Sequence, residues 1–109
     1  MKEHTRSGAL TETTLYILLA LYSANHGYGI MQFIEEQTAG RLVLGPGTLY
    51  GALSNLLDKG WIILHSEEGT KKKKNYLITS LGKEIVANEL IRLQQVLHLG
   101  TTITSKEIE

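Results

Sequence analysis

One stretch limits the possible folds of this chain more than any other: Leu44-Gly45-Pro46-Gly47-Thr48-Leu49-Tyr50-Gly51-Ala52-Leu53-Ser54-Asn55-Leu56-Leu57-Asp58-Lys59-Gly60-Trp61-Ile62. Pro46 suits a helix start, because its missing N–H would have had no partner there. Leu49, Leu53 and Leu56 then recur at i, i+4, i+7, with Ala52 and Leu57 beside them, so one face of the helix is apolar. Gly60 comes just after the last periodic residue, where helices commonly stop. The opposite face carries Gly47, Thr48, Tyr50, Gly51, Ser54, Asn55 and Asp58, mostly small or hydrogen-bonding residues. A plain surface helix would usually carry Glu and Lys instead.

The next twenty residues complete a unit. Trp61-Ile62-Ile63-Leu64-His65 reads as a strand, Ser66 to Thr70 as a turn-rich tip, and Lys74-Asn75-Tyr76-Leu77-Ile78-Thr79 as a returning strand. The run Lys71-Lys72-Lys73-Lys74 makes this hairpin basic. A helix that stops at glycine and feeds a charged hairpin is the layout of a winged helix-turn-helix, which lays one helix in the DNA major groove and its wing against the backbone. The fold class expected is therefore mainly α with a small β-hairpin, followed by a long C-terminal helix.

Two helices should precede the unit. The first runs from Leu10 or Thr11 to Asn25, with Leu15, Leu18, Leu19 and Tyr22 at helical spacing and Ile17 and Leu21 widening the apolar surface. Asn25-His26-Gly27 ends it. The second runs from Tyr28 to Thr38, with Ile30, Phe33 and Ile34 inward and Glu35 and Glu36 outward. Arg41-Leu42-Val43-Leu44 reads as a small strand. A last helix, capped by Thr79 or Ser80, runs to Leu99-Gly100. The organisation expected is a polar N-terminus over 1–9, a winged helix-turn-helix over 10–79, a dimerisation helix over 80–100 and a loose tail over 101–109. Val86, Leu90, Leu93 and Leu97 form a 4-3-4 seam on the last helix. A small core cannot cover so much apolar surface, so a homodimer is expected, with Leu15, Leu18, Val86, Leu90, Leu93 and Leu97 at its interface.

Composition narrows the function. At 109 residues the chain is one domain, and its zero formal net charge argues against a general nucleic-acid coat but not against a local basic surface. The absence of Cys excludes disulfides and thiolate metal sites and fits a reducing cytosol, so a cytoplasmic location is expected. Lys2 and Arg6 before the apolar stretch Leu15 to Leu21 mimic a secretory leader, but about seven apolar residues lie at the lower limit for one. No segment approaches the roughly 18 apolar residues of a membrane span. Catalysis is not expected. His4, His26, His65 and His98 lack metal-ligand spacing, and Gly45-Pro46-Gly47-Thr48 lacks the lysine of a phosphate-binding loop. No metal and no cofactor are implied.

Four motifs in order carry a resemblance: Gly27-Tyr28-Gly29-Ile30, Gly47-Thr48-Leu49-Tyr50, Leu53 and Leu56 before Gly60-Trp61-Ile62, and Lys74 through Gly82 closing the wing. Over about residues 8–99 the chain resembles the PadR-like winged-helix transcriptional regulators, in their short form with a single C-terminal dimerisation helix. The resemblance implies a prokaryotic homodimeric repressor that binds an inverted repeat in double-stranded DNA. As in some members, it implies release by a small hydrophobic or phenolic effector near the dimer interface, in a pocket lined by Leu15, Leu18, Leu93 and Leu97; the alternative is a DNA-binding protein that answers to a protein partner or to nothing. Two features depart from the family. The wing carries lysines where relatives carry Arg, which supplies charge without a bidentate fork to phosphate. No aromatic residue follows Tyr76, which counts against stacking of a flat ligand on the last helix.

The residues expected on DNA are Tyr28, Gly47, Thr48, Tyr50, Gly51, Ser54, Asn55, Lys71, Lys72, Lys73 and Lys74. Glycines would let the backbone approach closely, Thr48 and Ser54 would bond phosphate or base edges, and Asn55 suits adenine. Tyr50 would hold a phosphate, which positions without reading sequence. The lysines would displace counterions along the backbone. Blander readings exist: Tyr50 as a core-edge aromatic, Tyr28 as a packing residue, Asn55 as merely solvated, and the lysines as a solvated hairpin tip. The rival function is a winged helix used for protein contact, which would need an apolar or acidic outer face on the third helix.

Overall fold

The computed structural model describes residues 8–69 and 73–108. Its elements in order are α1 (Glu12–Ala20), α2 (Gly27–Gln37), α3 (Pro46–Lys59), β1 (Ile62–Glu68), β2 (Lys73–Ile78) and α4 (Ser80–Ile108). The core joins all of them. Ile17, Leu18 and Leu21 from the α1 segment meet Ile30 and Ile34 of α2, Leu49, Leu53 and Leu56 of α3, Ile62 and Ile78 of the hairpin and Val86 of α4. The winged helix expected from the sequence is present.

Helix α3 obeys its sequence signals closely. Pro46 occupies the first turn and Gly60 ends the helix at φ 75°, a left-handed conformation that favours glycine. Helix α1 is shorter than expected, ending at Ala20. The cause is tertiary: Asn25 exchanges backbone hydrogen bonds with Tyr76, and the Ile78 N–H donates to the Leu21 carbonyl. Residues 21–25 thus cover the outer edge of β2. Arg41 to Leu44 form no strand. There the Leu42 N–H donates to Thr38 Oγ1, at 3.1 Å, and Leu44 turns into the core.

The strands pair antiparallel, from Ile62 opposite Ile78 to Glu68 opposite Lys73, with a register shift between Leu64 and Ser66. Trp61 is half-buried beside this sheet, with Lys59 Nζ 4.6 Å from its ring centroid. At the hairpin's exit Thr79 does the capping. Its hydroxyl donates to the Gly60 carbonyl at 2.7 Å and accepts from the Gly82 N–H at 3.0 Å. A side chain at Gly82 would overlap the Trp61 carbonyl and Ile78, so this glycine lets α4 start hard against the hairpin.

Helix α4 passes through Gly100 and reaches Ile108, so described residues of the expected loose tail are helical. A single interior glycine costs only about 1 kcal/mol, and the helix hydrogen bonds on either side of it outweigh that. Thr101 also donates back to the Leu97 carbonyl at 2.8 Å. At about 1.5 Å per residue the 29-residue helix is roughly 44 Å long and outruns the domain. Burial is confined to its first turns. Leu90, Ile91, Val96, Leu97, Leu99 and Ile103 are exposed, Leu97 by 66%.

Two seam residues are corrected by this packing. Leu18, 0% exposed, and Val86, 2% exposed, lie inside the protomer's own core and offer no surface to a second copy. The core of so small a domain closes only by drawing in the inner sides of both helices, and these two residues lie there. The polar N-terminus expected over 1–9 falls largely outside the described residues, which begin at Gly8.

One buried charge ties α4 to the chain start. Glu89 is 4% exposed and receives two hydrogen bonds from Arg92, at 2.8 and 2.7 Å. The Arg92 bond is the largest influence on its carboxyl and, with the Leu10 N–H, holds it below the ordinary carboxylate range, against the upward push of burial. A depressed folded value contributes stability above the unfolded carboxyl pKa, and that contribution is lost as pH falls through the folded value. Glu89→Gln should therefore lower the urea midpoint at pH 7, and the gap to the wild type should narrow towards about pH 3. A constant gap across that range would remove the ionised pair from the account.

Candidate nucleic-acid interface

Because α3 buries only Leu49, Leu53 and Leu56 deeply, its other face is free. Gly47, Thr48, Tyr50, Gly51, Ser54 and Asn55 are all exposed. The structure therefore brings together on one face every α3 residue singled out in the sequence. Gly47 and Gly51 have open space where a side chain would begin. Neither glycine is required by packing among the described residues, although each weakens the helix relative to alanine by about 0.5–1 kcal/mol. This face carries no carboxylate before Asp58 and no large apolar group besides Tyr50 and Leu57, so it is neither acidic nor greasy.

The glycines of α2 behave differently. A side chain at Gly27 would overlap the Tyr50 phenol, and one at Gly29 would overlap the Asn25 amide. Gly27 is thus a notch that seats Tyr50 and fixes α3 against the start of α2. Tyr50 remains 49% exposed, so it both packs and presents its hydroxyl. Tyr28, at 67% exposed, stands free of the core. Next to this pair, Tyr76 is buried. Burial pushes its phenol up, and the neighbouring Tyr50 adds to the shift, so the hydroxyl keeps its proton near neutrality.

Between α2, α3 and β2 lies a groove of about 310 Å³ lined by His26, Gly27, Tyr28, Tyr50, Lys73, Lys74 and Tyr76. Lys73 and Lys74 are exposed in β2. The hairpin register sets Glu67 opposite Lys74, so the described part of the wing is less one-sidedly basic than the lysine run suggests. Lys71 and Lys72 lie outside the described residues. His26 was missed by sequence reasoning. It caps α2, its Nδ1 accepting the Gly29 N–H at 3.1 Å. The signal was available as a polar residue immediately before a helix start, but helix caps are ordinarily Ser, Thr, Asp or Asn.

The interface expected for a second copy is only partly assembled in one place. Leu15 is half-buried, Leu90, Leu93 and Leu97 are exposed, and Leu18 and Val86 are internal. A groove of about 490 Å³ does run between α1 and α4. Leu15 and Leu93 line it together with Leu10, Tyr16, Leu19 and Arg92, whereas Leu18 and Leu97 do not. No group of His, Asp and Glu suited to a metal ion occurs among the described residues. Among them, too, no helix is long and apolar enough to cross a membrane.

Comparisons with known proteins agree with this architecture. A protein of Streptomyces fradiae, described as an uncharacterized 37.1 kDa protein in transposon TN4556, is 38% identical over 64 residues. That match covers 59% of this chain but only 17% of the Streptomyces protein. A transcriptional regulator from Clostridium thermocellum superposes with a TM-score of 0.67 at 23% identity, over 99% of this chain and 100% of that one. A PadR-like transcription factor of Bacteroides fragilis gives 0.71 at 22% identity, over 92% and 94%. RosR of H. salinarum gives 0.66 at 24% identity, over 91% and 94%. At these identities the likeness is one of fold. The model of the PadR-like transcriptional regulator family, however, matches residues 14–88, most of the winged helix and the start of α4, and the chain belongs to that family.

Proposed function

We propose that this transcriptional regulator is a sequence-specific DNA-binding repressor that acts as a homodimer on an inverted repeat in double-stranded DNA. The observation that carries the reading is the free face of α3. It is built from small and hydrogen-bonding residues, with two glycines that no described internal contact requires. Such a face lets the helix backbone sink into the major groove, where Asn55, Ser54 and Thr48 reach base edges and phosphates. Tyr28, Tyr50, Lys73 and Lys74 flank it on the side of the wing. A protein-contact role for α3 finds no apolar or acidic surface to support it.

Homodimerisation is supported by the overhang of α4. An apolar surface of this extent on a helix that leaves its own domain is ordinarily covered by a partner. In this reading Leu90, Leu93 and Leu97, with Leu15 of α1, meet a second copy, and two-fold symmetry places two α3 helices on successive turns of one DNA face. The groove between α1 and α4 is where a small hydrophobic effector would enter. The cell's cytoplasm is the compartment in which such a protein works.

Selection of bound fragments from random duplex DNA at about 150 mM salt, near physiological ionic strength, tests the reading. A two-fold symmetric site with half-site centres roughly 34 Å apart should emerge. A folded protein that enriches nothing would defeat it. Gly51→Ala should raise stability by about 0.5–1 kcal/mol yet weaken binding to the selected site by about tenfold. Undiminished affinity would take α3 off the DNA. Leu97→Asp should leave the protomer folded, because Leu97 is exposed there, and should shift sedimentation from dimer to monomer. A variant that remains dimeric would move the seam elsewhere.

A further inference from the structure

The groove between α2, α3 and β2 has a chemical character that its individual residues do not reveal. Every described side chain lining it that can form hydrogen bonds is a donor at neutral pH: the hydroxyls of Tyr28, Tyr50 and Tyr76, the ammonium groups of Lys73 and Lys74, and the imidazole of His26. Among the described residues no carboxylate lines it; Glu67, opposite Lys74 in the hairpin, is not part of its walls. The donors come from three separate elements, which the fold converges on one concavity. Gly27 keeps the space that brings the Tyr50 hydroxyl into it.

His26 is held in one form. Its Nδ1 accepts the Gly29 N–H, so Nδ1 bears no hydrogen and the neutral ring carries its proton on Nε2. A side chain that would otherwise choose between accepting and donating is thereby made a donor at its far nitrogen. The cap and the groove use opposite edges of the same ring.

We propose that this groove is a phosphate-binding cleft that seats one backbone phosphate of the DNA, with His26 as a neutral N–H donor to it. The inference rests on the DNA-binding reading of α3. A phosphodiester offers only acceptor oxygens and a negative charge, the complement of a cleft lined by hydrogen-bond donors and two cations. The cleft lies between α3 and the wing, so a phosphate seated there would set how far α3 enters the groove. His26 and the tyrosine hydroxyls supply direction, and the lysines supply charge.

The test is His26→Asn in the whole protein. Asparagine keeps the α2 cap, because its side-chain oxygen can accept the same amide, and its own NH2 then takes the place of the ring Cδ2, leaving no donor at the Nε2 position. The melting temperature should stay at the wild-type value. Affinity should fall about tenfold to a hundredfold, the scale of one lost hydrogen bond to a charged oxygen. The loss should be equal for the selected site and for random-sequence duplex, with an unchanged salt slope, because a neutral donor releases no counterion. Replacing the seated phosphate by a methylphosphonate should weaken the wild type, and His26→Asn should add nothing further on that DNA. Wild-type affinity in the variant, or a loss confined to the selected site, would overturn the proposal. If His26→Asn melts early, Tyr28→Phe, which removes one exposed hydroxyl, is read the same way: equal loss on both duplexes supports the cleft and no loss overturns it. A wild-type protein that binds no duplex at all would instead bring down the underlying reading.

Discussion

The burial of Leu49, Leu53 and Leu56 is the constraint on which the rest depends. These three side chains lock α3 onto α1, α2 and β1, and each is almost wholly removed from water. Fully burying a leucine is worth about 1.5–3 kcal/mol, so this narrow stripe supplies the main attachment of the 14-residue helix to the core. Because the stripe is narrow, the remaining surface of α3 owes little to the core, apart from Tyr50 in its Gly27 notch and half-buried Ala52. Glycine at 47 and 51 is costly in a helix and meets no neighbour among the described residues, which leaves bare backbone on the face proposed for DNA.

Three glycines elsewhere serve packing instead. Gly27 receives the Tyr50 ring, Gly29 the Asn25 amide, and Gly82 the Trp61 carbonyl. They hold α2, α3, the hairpin and α4 in one mutual arrangement. Among the glycines of α2 and α3, the presence or absence of a neighbour thus separates two physical classes. Helix α4 shows a similar division along its length. Gly82, Val86 and Glu89 belong to the domain, while the apolar residues from Leu90 onward lie beyond it. The same helix therefore closes one core and offers a surface for another association.

Much of the fold was legible in the sequence. The bounds of α3 stem from Pro46, the leucine spacing and Gly60, all local signals. The hairpin was readable too, although β1 runs on through Ser66, Glu67 and Glu68, which read as part of the tip, and the cap read only as Thr79 or Ser80. The α3 face was legible because a helix's two sides can be separated by counting. What was not legible depended on partners distant in the chain. Helix α1 stops early because Tyr76 captures the backbone of Asn25, more than fifty residues before it in sequence. Leu18 and Leu15 look equivalent as apolar helix positions, yet only Leu18 is sealed within the protomer. His26 read as part of a helix ending, and its role as a cap depends on how the chain turns into α2.

Sequence alone determined the bounds of α3, the presence of the other helices and of the hairpin, which face of α3 is apolar, and that the chain carries the motifs of its family. These depend on period and punctuation, which neighbouring residues encode. The tertiary structure decided which apolar residues remain available to a second copy and which glycines are structural. It also decided that His26, three tyrosines and two lysines share one groove. Those facts depend on how elements dock, and docking is set by side-chain volumes meeting across the core, which no single stretch of sequence contains.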